Sequence, residues 1–138
     1  PVKHWSARSL SDKNESLWGG FVVVSPTQKI FFAGDTGYCD IFTELAEKFG
    51  PMSLSLLPVG AYEPRWFMKD AHMNPEDAVQ AHLDLKSKLS MGIHYGTFQL
   101  TDEGIDEPLR ALDEGRKHRN VKPESFFTLG VGETRLLP

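Results

Sequence analysis

Three short apolar runs constrain the fold of this chain more than any other feature of its sequence. They cover residues 30–33, 54–59 and 91–93, and each ends in a polar or glycine-rich turn. Segments with a helical pattern separate the runs, at residues 40–49 and 74–89. Apolar strands that alternate with helices are typical of an α/β domain. The sequence therefore predicts a mixed sheet with helices packed on one of its faces.

Further elements are predicted on either side of these runs. Residues 16–34 contain two apolar strands joined by a turn at 25–28, the pattern of a hairpin. A weaker helix is predicted over 107–119, and residues 125–137 predict a second hairpin or two short strands. No internal repeat or linker divides the chain, so we expect a single domain.

Helix-capping residues mark the ends of the predicted helices. Asp40 occupies the N-cap position of the first helix, and Gly50 follows its last turn. Asn74 is the predicted cap of the second helix, with Pro75 at the first helical position. The apolar face of the first helix is predicted to consist of Ile41, Leu45 and Phe49.

Composition excludes several classes of protein. Fifteen basic and 19 acidic side chains give a net charge of −4, and no basic stripe is present, so we expect no nucleic-acid partner. The one cysteine excludes an internal disulfide and a cysteine-rich zinc site. No apolar run has the roughly 20 residues that a membrane-spanning helix needs. We expect a soluble or peripheral membrane protein, with the cytoplasm favoured as its location.

Histidines and one aspartate are the candidates for chemistry. Of the five histidines, His118 lies in a charged segment and is expected to be exposed, whereas His82 lies inside a predicted helix and is expected to pack. His4, Asp35 and His94 instead lie at strand edges or turns. Imidazole and carboxylate are ligands that catalytic zinc prefers, although these three residues fit no local metal motif.

Five segments, taken together, resemble one known family. In chain order they are KHWSAR, FFAGDTGY, PVGAYEPRWFM, HMNPEDAVQAH and GIHYGTF. They closely resemble the C-terminal half of the N-acylphosphatidylethanolamine-hydrolysing phospholipase D family, which has the metallo-β-lactamase fold and includes bacterial RomA-like outer-membrane proteins. The resemblance covers residues 1–137. It implies that residues 1–138 form the C-terminal half of a two-part αββα sandwich whose N-terminal half is absent.

The resemblance also assigns roles to individual residues. It makes His4 a ligand of one zinc ion and His94 a ligand of a second. Asp35 becomes the carboxylate that bridges the two ions and orients a metal-bound hydroxide, with Thr36 orienting the carboxylate. His72 is implied to contact a substrate phosphate; the alternative is a loop histidine that faces solvent. The implied reaction hydrolyses a phosphodiester to phosphatidic acid and an N-acylethanolamine.

One loop is implied to bind the substrate. Its aromatic and flexible apolar residues would hold acyl chains, and Arg65 would pair with a phosphate. The alternatives are plain core packing for the apolar residues and an ion pair with Glu63 or Asp70 for Arg65. The implied substrate-binding residues are Tyr62, Arg65, Trp66, Phe67 and Met68.

The metal site is predicted to be incomplete in this chain. The family also uses a His-x-His-x-Asp-His cluster, and this sequence contains no His-x-His. We therefore expect weak zinc binding and negligible activity from these residues alone. The sheet face that would pack on the missing half is expected to be exposed, to be covered by that half, or to promote homo-oligomers.

Two alternatives to the lipid phosphodiesterase stay open. A hydrolase with the same fold could act on a lactone or a sugar phosphate. A non-catalytic scaffold could keep the fold without the metals, in which case the upstream histidine cluster would be absent. A lipid substrate would imply at least peripheral contact with a bilayer.

Overall fold

The fold is built on one five-stranded mixed sheet. The computed structural model describes the whole chain, Pro1–Pro138. In chain order the strands are β1 (Phe21–Val24), β2 (Lys29–Phe32), β3 (Leu54–Pro58), β4 (Leu89–Ile93) and β5 (Phe126–Phe127). Their order in the sheet is also β1-β2-β3-β4-β5. The hairpin strands β1 and β2 are antiparallel as predicted, and β2 to β5 are parallel.

Four helices connect and cover the strands. They are α1 (Ile41–Phe49), α2 (Arg65–Met68), α3 (Pro75–Asp84) and α4 (Glu107–His118). Helix α3 contacts α1, α4 and strand β3, so it is the central helix of the layer. None of the four is long and apolar enough to cross a membrane.

The sheet register separates a covered face from an open one. One row of neighbouring strand residues faces the helices and is at most 2% exposed: Phe31, Ser55, Ser90 and Phe126. Nδ1 of His82 on α3 lies 2.8 Å from Oγ of Ser90, which ties this helix to the covered face. The next row turns to the opposite side, where Phe32 is 42% exposed. The prediction of helices on one face of a mixed sheet is confirmed.

Helix α3 begins as predicted and ends earlier than predicted. The Asn74 side chain accepts a hydrogen bond from Asp77 N at 2.8 Å, and the Asp77 carboxylate accepts one from Asn74 N, which completes a capping box. The helix stops at Asp84 because Lys86 adopts a φ of +50°. Lys88 N then donates to Met52 O, and the chain enters β4.

Helix α1 begins where predicted and differs from the prediction on its buried face. Asp40 is the N-cap residue, although its backbone angles are helical and its side chain makes no cap hydrogen bond. Gly50 ends the helix as predicted, with a φ of +75°. The fully buried residues are Phe42 and Ala46, because Phe42 packs edge-on against Phe31 in the sheet. The predicted apolar residues border this face and are partly buried: Ile41, Leu45 and Phe49.

The C-terminal segment does not form the predicted hairpin. Only Phe126–Phe127 is a strand, and it pairs in parallel with β4. Beyond it the chain turns at Gly130, whose N–H donates to the Glu133 carboxylate at 2.8 Å. The apolar residues after this turn pair with no strand and are largely exposed, and Val131 is 99% exposed.

Candidate metal and substrate site

The candidate site lies at one edge of the sheet, where the parallel strands end. Asp35 follows β2, Gly60 follows β3 and His94 follows β4. Parallel strands present their carboxyl ends at the same edge, where side chains can converge in a crevice. Oδ1 of Asp35 and Nε2 of His94 are 3.2 Å apart, and the two side chains are 30% and 25% exposed. The two predicted residues therefore meet.

The N-terminal segment is bonded to the turn that carries Asp35. Lys3 pairs with Gly37 in an antiparallel bridge, and Gly37 N donates to Lys3 O at 2.7 Å. Lys3 N donates to the buried Thr36 hydroxyl at 3.0 Å. Thr36 thus holds the segment that carries His4, and its hydroxyl bonds the backbone of Lys3 and Gly37 rather than the Asp35 carboxylate.

Trp18 is a site residue that sequence reasoning missed. Its ring stacks on His4 with centroids 4.3 Å apart and planes at 21°. Its indole N–H also donates to the Asp35 carbonyl at 2.8 Å, so one side chain contacts both candidates. A tryptophan before a pair of glycines forms no chemical motif, so the sequence offered no signal for this role.

His72 lies between the other two candidate histidines. Its ring centroid is 5.2 Å from that of His4 and 5.6 Å from that of His94. The Nδ1 atoms of His72 and His94 are both buried without a hydrogen-bond partner. A solvent-facing loop histidine, the alternative considered for His72, does not describe this placement.

The surroundings shift the pKa of three groups in this cluster, and the direction and cause differ between them. The hydrogen bond to His94 lowers the pKa of the Asp35 carboxyl despite partial burial. The same hydrogen bond raises the pKa of the His94 imidazole against the effect of burial. Burial, with the charge of nearby His4, lowers the pKa of His72 to about 4. At neutral pH His72 is thus an uncharged imidazole beside a carboxylate.

The donor types in this cluster suit a divalent metal. His4 Nδ1 lies 2.6 Å from the Trp5 carbonyl, which leaves Nε2 as the free nitrogen of that ring. Imidazole nitrogens and a carboxylate oxygen are typical zinc ligands, and two buried ring nitrogens here lack a partner. No three His, Cys, Asp or Glu side chains are arranged to hold one ion together. The residues fit a metal site in donor type and supply only part of it.

The loop predicted to bind substrate divides into buried and exposed residues. Tyr62 is 4% exposed, its hydroxyl is buried without a partner, and burial strongly raises its pKa, so it packs inside the chain. Arg65 bonds the Asp77 carboxylate at 2.7 Å and the His72 carbonyl at 2.8 Å. An ion pair of Arg65 with Glu63 or Asp70 was the wrong alternative.

The exposed part of the loop borders a cavity beside the histidines. Trp66 and Phe67 on α2 are 80% and 67% exposed, and Met68 is partly buried. A cavity of about 880 Å³ separates α2 from the N-terminal segment and has His4 and His72 in its wall. Phe67 and Met68 also line it, so apolar side chains adjoin the candidate site.

The two histidines assigned no chemistry lie away from this edge. His82 is buried at 5% exposure and packs against Ser90 and Phe126. His118 has a side chain 73% exposed on the surface of α4. Both sequence predictions, a packing role for His82 and an exposed position for His118, are confirmed.

A family model decides which fold family the chain represents. The model described as "Beta-lactamase superfamily domain" matches residues 1–95. The chain belongs to this superfamily. Its structure is similar to that of Igni18, described as a metallo hydrolase from Ignicoccus hospitalis, with a TM-score of 0.65 at 18% identity. That likeness covers 94% of this chain and 47% of Igni18, and it confirms the metallo-β-lactamase fold.

Relatives within the superfamily confirm the resemblance drawn from the five segments. The chain is 44% identical over 136 residues to N-acyl-phosphatidylethanolamine-hydrolyzing phospholipase D 1 of Caenorhabditis elegans, covering 96% of this chain. It is 38% identical over 96 residues to outer membrane protein RomA of Klebsiella pneumoniae, covering 70% of each chain. The chain spans only 38% of the length of the C. elegans protein.

Proposed function

We propose that these residues form part of the active site of a zinc-dependent phosphodiesterase that cleaves N-acylated ethanolamine phospholipids. The observation that carries the proposal is the convergence of His4, Asp35, His72 and His94 at one sheet edge. The 44% identity to a relative named for this activity supports the substrate class.

Three of the four residues are proposed to hold the metal. His4 and His94 would each give one imidazole nitrogen, and Asp35 would give carboxylate oxygen to both ions. Bound zinc supplies a Lewis acid that activates water and neutralises charge on phosphoryl oxygens. Asp35 also holds the His94 ring through the 3.2 Å contact, which orients that ligand before any metal binds.

His72 is proposed to contact the substrate rather than the metal. Its ring lies between His4 and His94, so a phosphate beside the metal ligands would lie within its reach. An imidazole N–H can donate a hydrogen bond to a phosphate oxygen. Arg65 contributes indirectly, because its guanidinium bonds the His72 carbonyl and so fixes the backbone of that residue.

The cavity beside the histidines is proposed to hold an acyl chain. Phe67 and Met68 line it, and apolar clefts with a few polar groups at one end are typical of sites for amphiphiles. Trp66 is 80% exposed on the same helix, which fits peripheral contact with a bilayer. Tyr62 takes no part in this proposal because its side chain is buried.

We infer that residues 1–138 are the C-terminal half of the catalytic domain and that other polypeptide completes the ligand set. A catalytic zinc ion usually has three protein ligands, and this chain offers three candidates for two ions. The 138 residues alone are accordingly expected to bind zinc weakly and to turn over no substrate.

An assay of the natural protein that contains this chain tests the proposal. Zinc-loaded protein should release N-acylethanolamine from vesicles that contain N-acylphosphatidylethanolamine, and the Asp35→Asn variant should lose at least about 100-fold in rate. Asp113→Asn, which removes a surface carboxylate on α4, is the matched control and should keep full activity.

The same assay distinguishes the competing functions. Preferential hydrolysis of a lactone or a sugar phosphate would support a hydrolase but contradict the proposed phospholipid substrate. Absence of turnover on every substrate, with no zinc retained, would favour the non-catalytic scaffold.

A further inference from the structure

A buried carboxylate outside the histidine cluster binds the turn that follows β3. Glu103 is 7% exposed, although its loop is otherwise largely exposed. Its Oε1 accepts hydrogen bonds from Ala61 N at 2.7 Å and Tyr62 N at 3.3 Å, and its Oε2 accepts one from Glu63 N at 3.0 Å. One side chain therefore satisfies three consecutive backbone N–H groups.

The turn held in this way has an unfavourable backbone. Ala61 adopts a φ of +61°, a left-handed conformation that residues with a Cβ rarely keep unless their surroundings impose it. Consecutive N–H groups in such a turn form a concave site for an anion. The Glu103 carboxylate occupies that site, so its charge-assisted bonds offset the strain at Ala61.

The Glu103 carboxyl is ionised at neutral pH, as this role requires. Burial alone raises its pKa, but the Thr101 hydroxyl and the backbone N–H groups outweigh burial and lower the pKa below its ordinary value of 4.5. An ionised carboxylate accepts hydrogen bonds on both oxygens without donating any. The three-bond arrangement is therefore stable at physiological pH.

The residue before this turn, Gly60, contacts the backbone of His94. A Cβ on Gly60 would overlap the His94 carbonyl oxygen, so the two backbones are in direct contact. Val59 N donates to Ile93 O at 3.0 Å immediately before this contact. His94 itself has a φ of +61°, so its orientation also depends on its neighbours. Movement of the turn would release that constraint.

The turn also leads directly to the side chain that holds His72. Arg65 N donates to the Glu63 carboxylate at 2.8 Å, and the Arg65 guanidinium donates to the His72 carbonyl at 2.8 Å. The backbone bonded by Glu103 is thus in contact with His94 at one end and connected to His72 at the other. No other side chain bonds this stretch of three N–H groups.

We propose that Glu103 is a positioning residue that orients both His94 and His72 by fixing the backbone of Ala61–Glu63. We expect Glu103 to orient the two imidazoles in the metal-free chain as well as in the enzyme. The consequence for zinc rests on the proposed function, whereas the consequence for the two imidazoles does not.

NMR of the metal-free chain tests the orientation directly. In Glu103→Ala the amides of residues 61–63 should exchange at least about tenfold faster, because charge-assisted hydrogen bonds are lost. The imidazole Cε1–H signals of His94 and His72 should shift and broaden in the same variant. In Glu103→Gln one oxygen still accepts hydrogen bonds, so both effects should be smaller.

Asp113→Asn is the control, because it also removes one carboxylate, and Asp113 pairs on α4 with Arg116 and Lys117. Its imidazole signals should match those of the unaltered chain. The proposal is overturned when amides 61–63 exchange faster while both imidazole signals stay unchanged, since Glu103 would then stabilise only its own turn. Where Glu103→Ala does not fold, Glu103→Gln gives the same two readouts.

Zinc binding by the natural protein separates this proposal from the proposed function. Glu103→Gln should raise the Kd for Zn²⁺ about tenfold, the effect typical of residues that orient metal ligands. Unchanged affinity together with shifted imidazole signals would overturn the link to the metal. If the unaltered protein binds no zinc, the proposed function is overturned, whereas the conclusion from the NMR experiment is unaffected.

Discussion

Nε2 of His94 lies 3.2 Å from Oδ1 of Asp35, and strand β3 separates the two strands that carry them. Both residues follow the end of a parallel strand, so the sheet register sets their distance. A contact of this kind, at the edge of a sheet, brings an acid and a base together without any nearness in sequence. This contact joins two of the three residues proposed to bind the metal.

Replacing Asp35 with Asn should lower the pKa of the His94 imidazole in the metal-free chain. The hydrogen bond to Asp35 is the largest cause of the raised pKa, and the uncharged amide cannot replace it. Titration of the His94 Cε1–H signal by NMR measures the change. An unaltered midpoint in Asp35→Asn would show that another group raises this pKa.

The same substitution should reduce stability most in mildly acidic solution. The raised pKa of His94 stabilises the fold below the ordinary value of 6.5, and this stabilisation is lost as pH rises through the folded pKa. The lowered pKa of Asp35 stabilises the fold above 3.8 and is lost as pH falls through its folded pKa. Urea unfolding near pH 5 should therefore show a loss of about 1 kcal/mol. Asp113→Asn, which removes the ion pair with exposed Lys117 on α4, is the control.

His82 should make the chain less stable as pH falls below 6.5. Burial lowers its pKa, so the unfolded chain takes up a proton near 6.5 that the folded chain does not. Each such group steepens the fall by at most about 1.4 kcal/mol per pH unit. His82→Asn should flatten the dependence of unfolding free energy on pH between 7.5 and 5, although buried His72 contributes with the same sign.

His118→Asn is the control for that series, because the side chain of His118 is 73% exposed. Its pH dependence should match that of the unaltered chain. Equal slopes in His82→Asn and the unaltered chain would contradict the role given to the buried imidazole.

Gly60→Ala should destabilise the chain by about 3 kcal/mol, the upper end of the usual range for overpacking a buried site. The added Cβ would overlap the His94 carbonyl oxygen, so one of the two backbones must move. Gly96→Ala is matched, since Gly96 has a φ of +74° but a Cβ added there would meet no atom within 4 Å. It should lose only about 1 kcal/mol from backbone strain. Equal losses measured by urea unfolding would remove the close contact as the cause.

The open face of the sheet should make the isolated chain self-associate. On this face Phe32 pairs with Phe21, which is 68% exposed, and Val23 beside them is 61% exposed. Exposed apolar surface of this extent favours association. In sedimentation velocity experiments the sedimentation coefficient should increase with protein concentration, and Phe32→Glu should reduce that increase. Leu83→Glu, on the outer side of α3, should leave it unchanged, and a monomer at every concentration would contradict the prediction.

The parts of the fold that depend on neighbours in sequence were predictable. The predicted cap of α3, Asn74, is confirmed, and it needs only Asp77 three positions along the chain. The β1–β2 hairpin likewise depends on two apolar runs and the four-residue turn between them. Local patterns were a poorer guide at the end of α3, where Lys86 adopts a φ of +50°, and in the C-terminal segment, where only Phe126–Phe127 forms a strand.

The candidate site was predictable in its members and not in its arrangement. The sequence by itself named His4, Asp35, His72 and His94, because the segments that carry the resemblance to the family contain them. Only the tertiary structure decided that Trp18 contacts His4 and Asp35, that Arg65 bonds Asp77, and that Glu103 holds the turn beside His94. These contacts join residues far apart in sequence, and their distances depend on sheet register and loop packing, which no local pattern encodes.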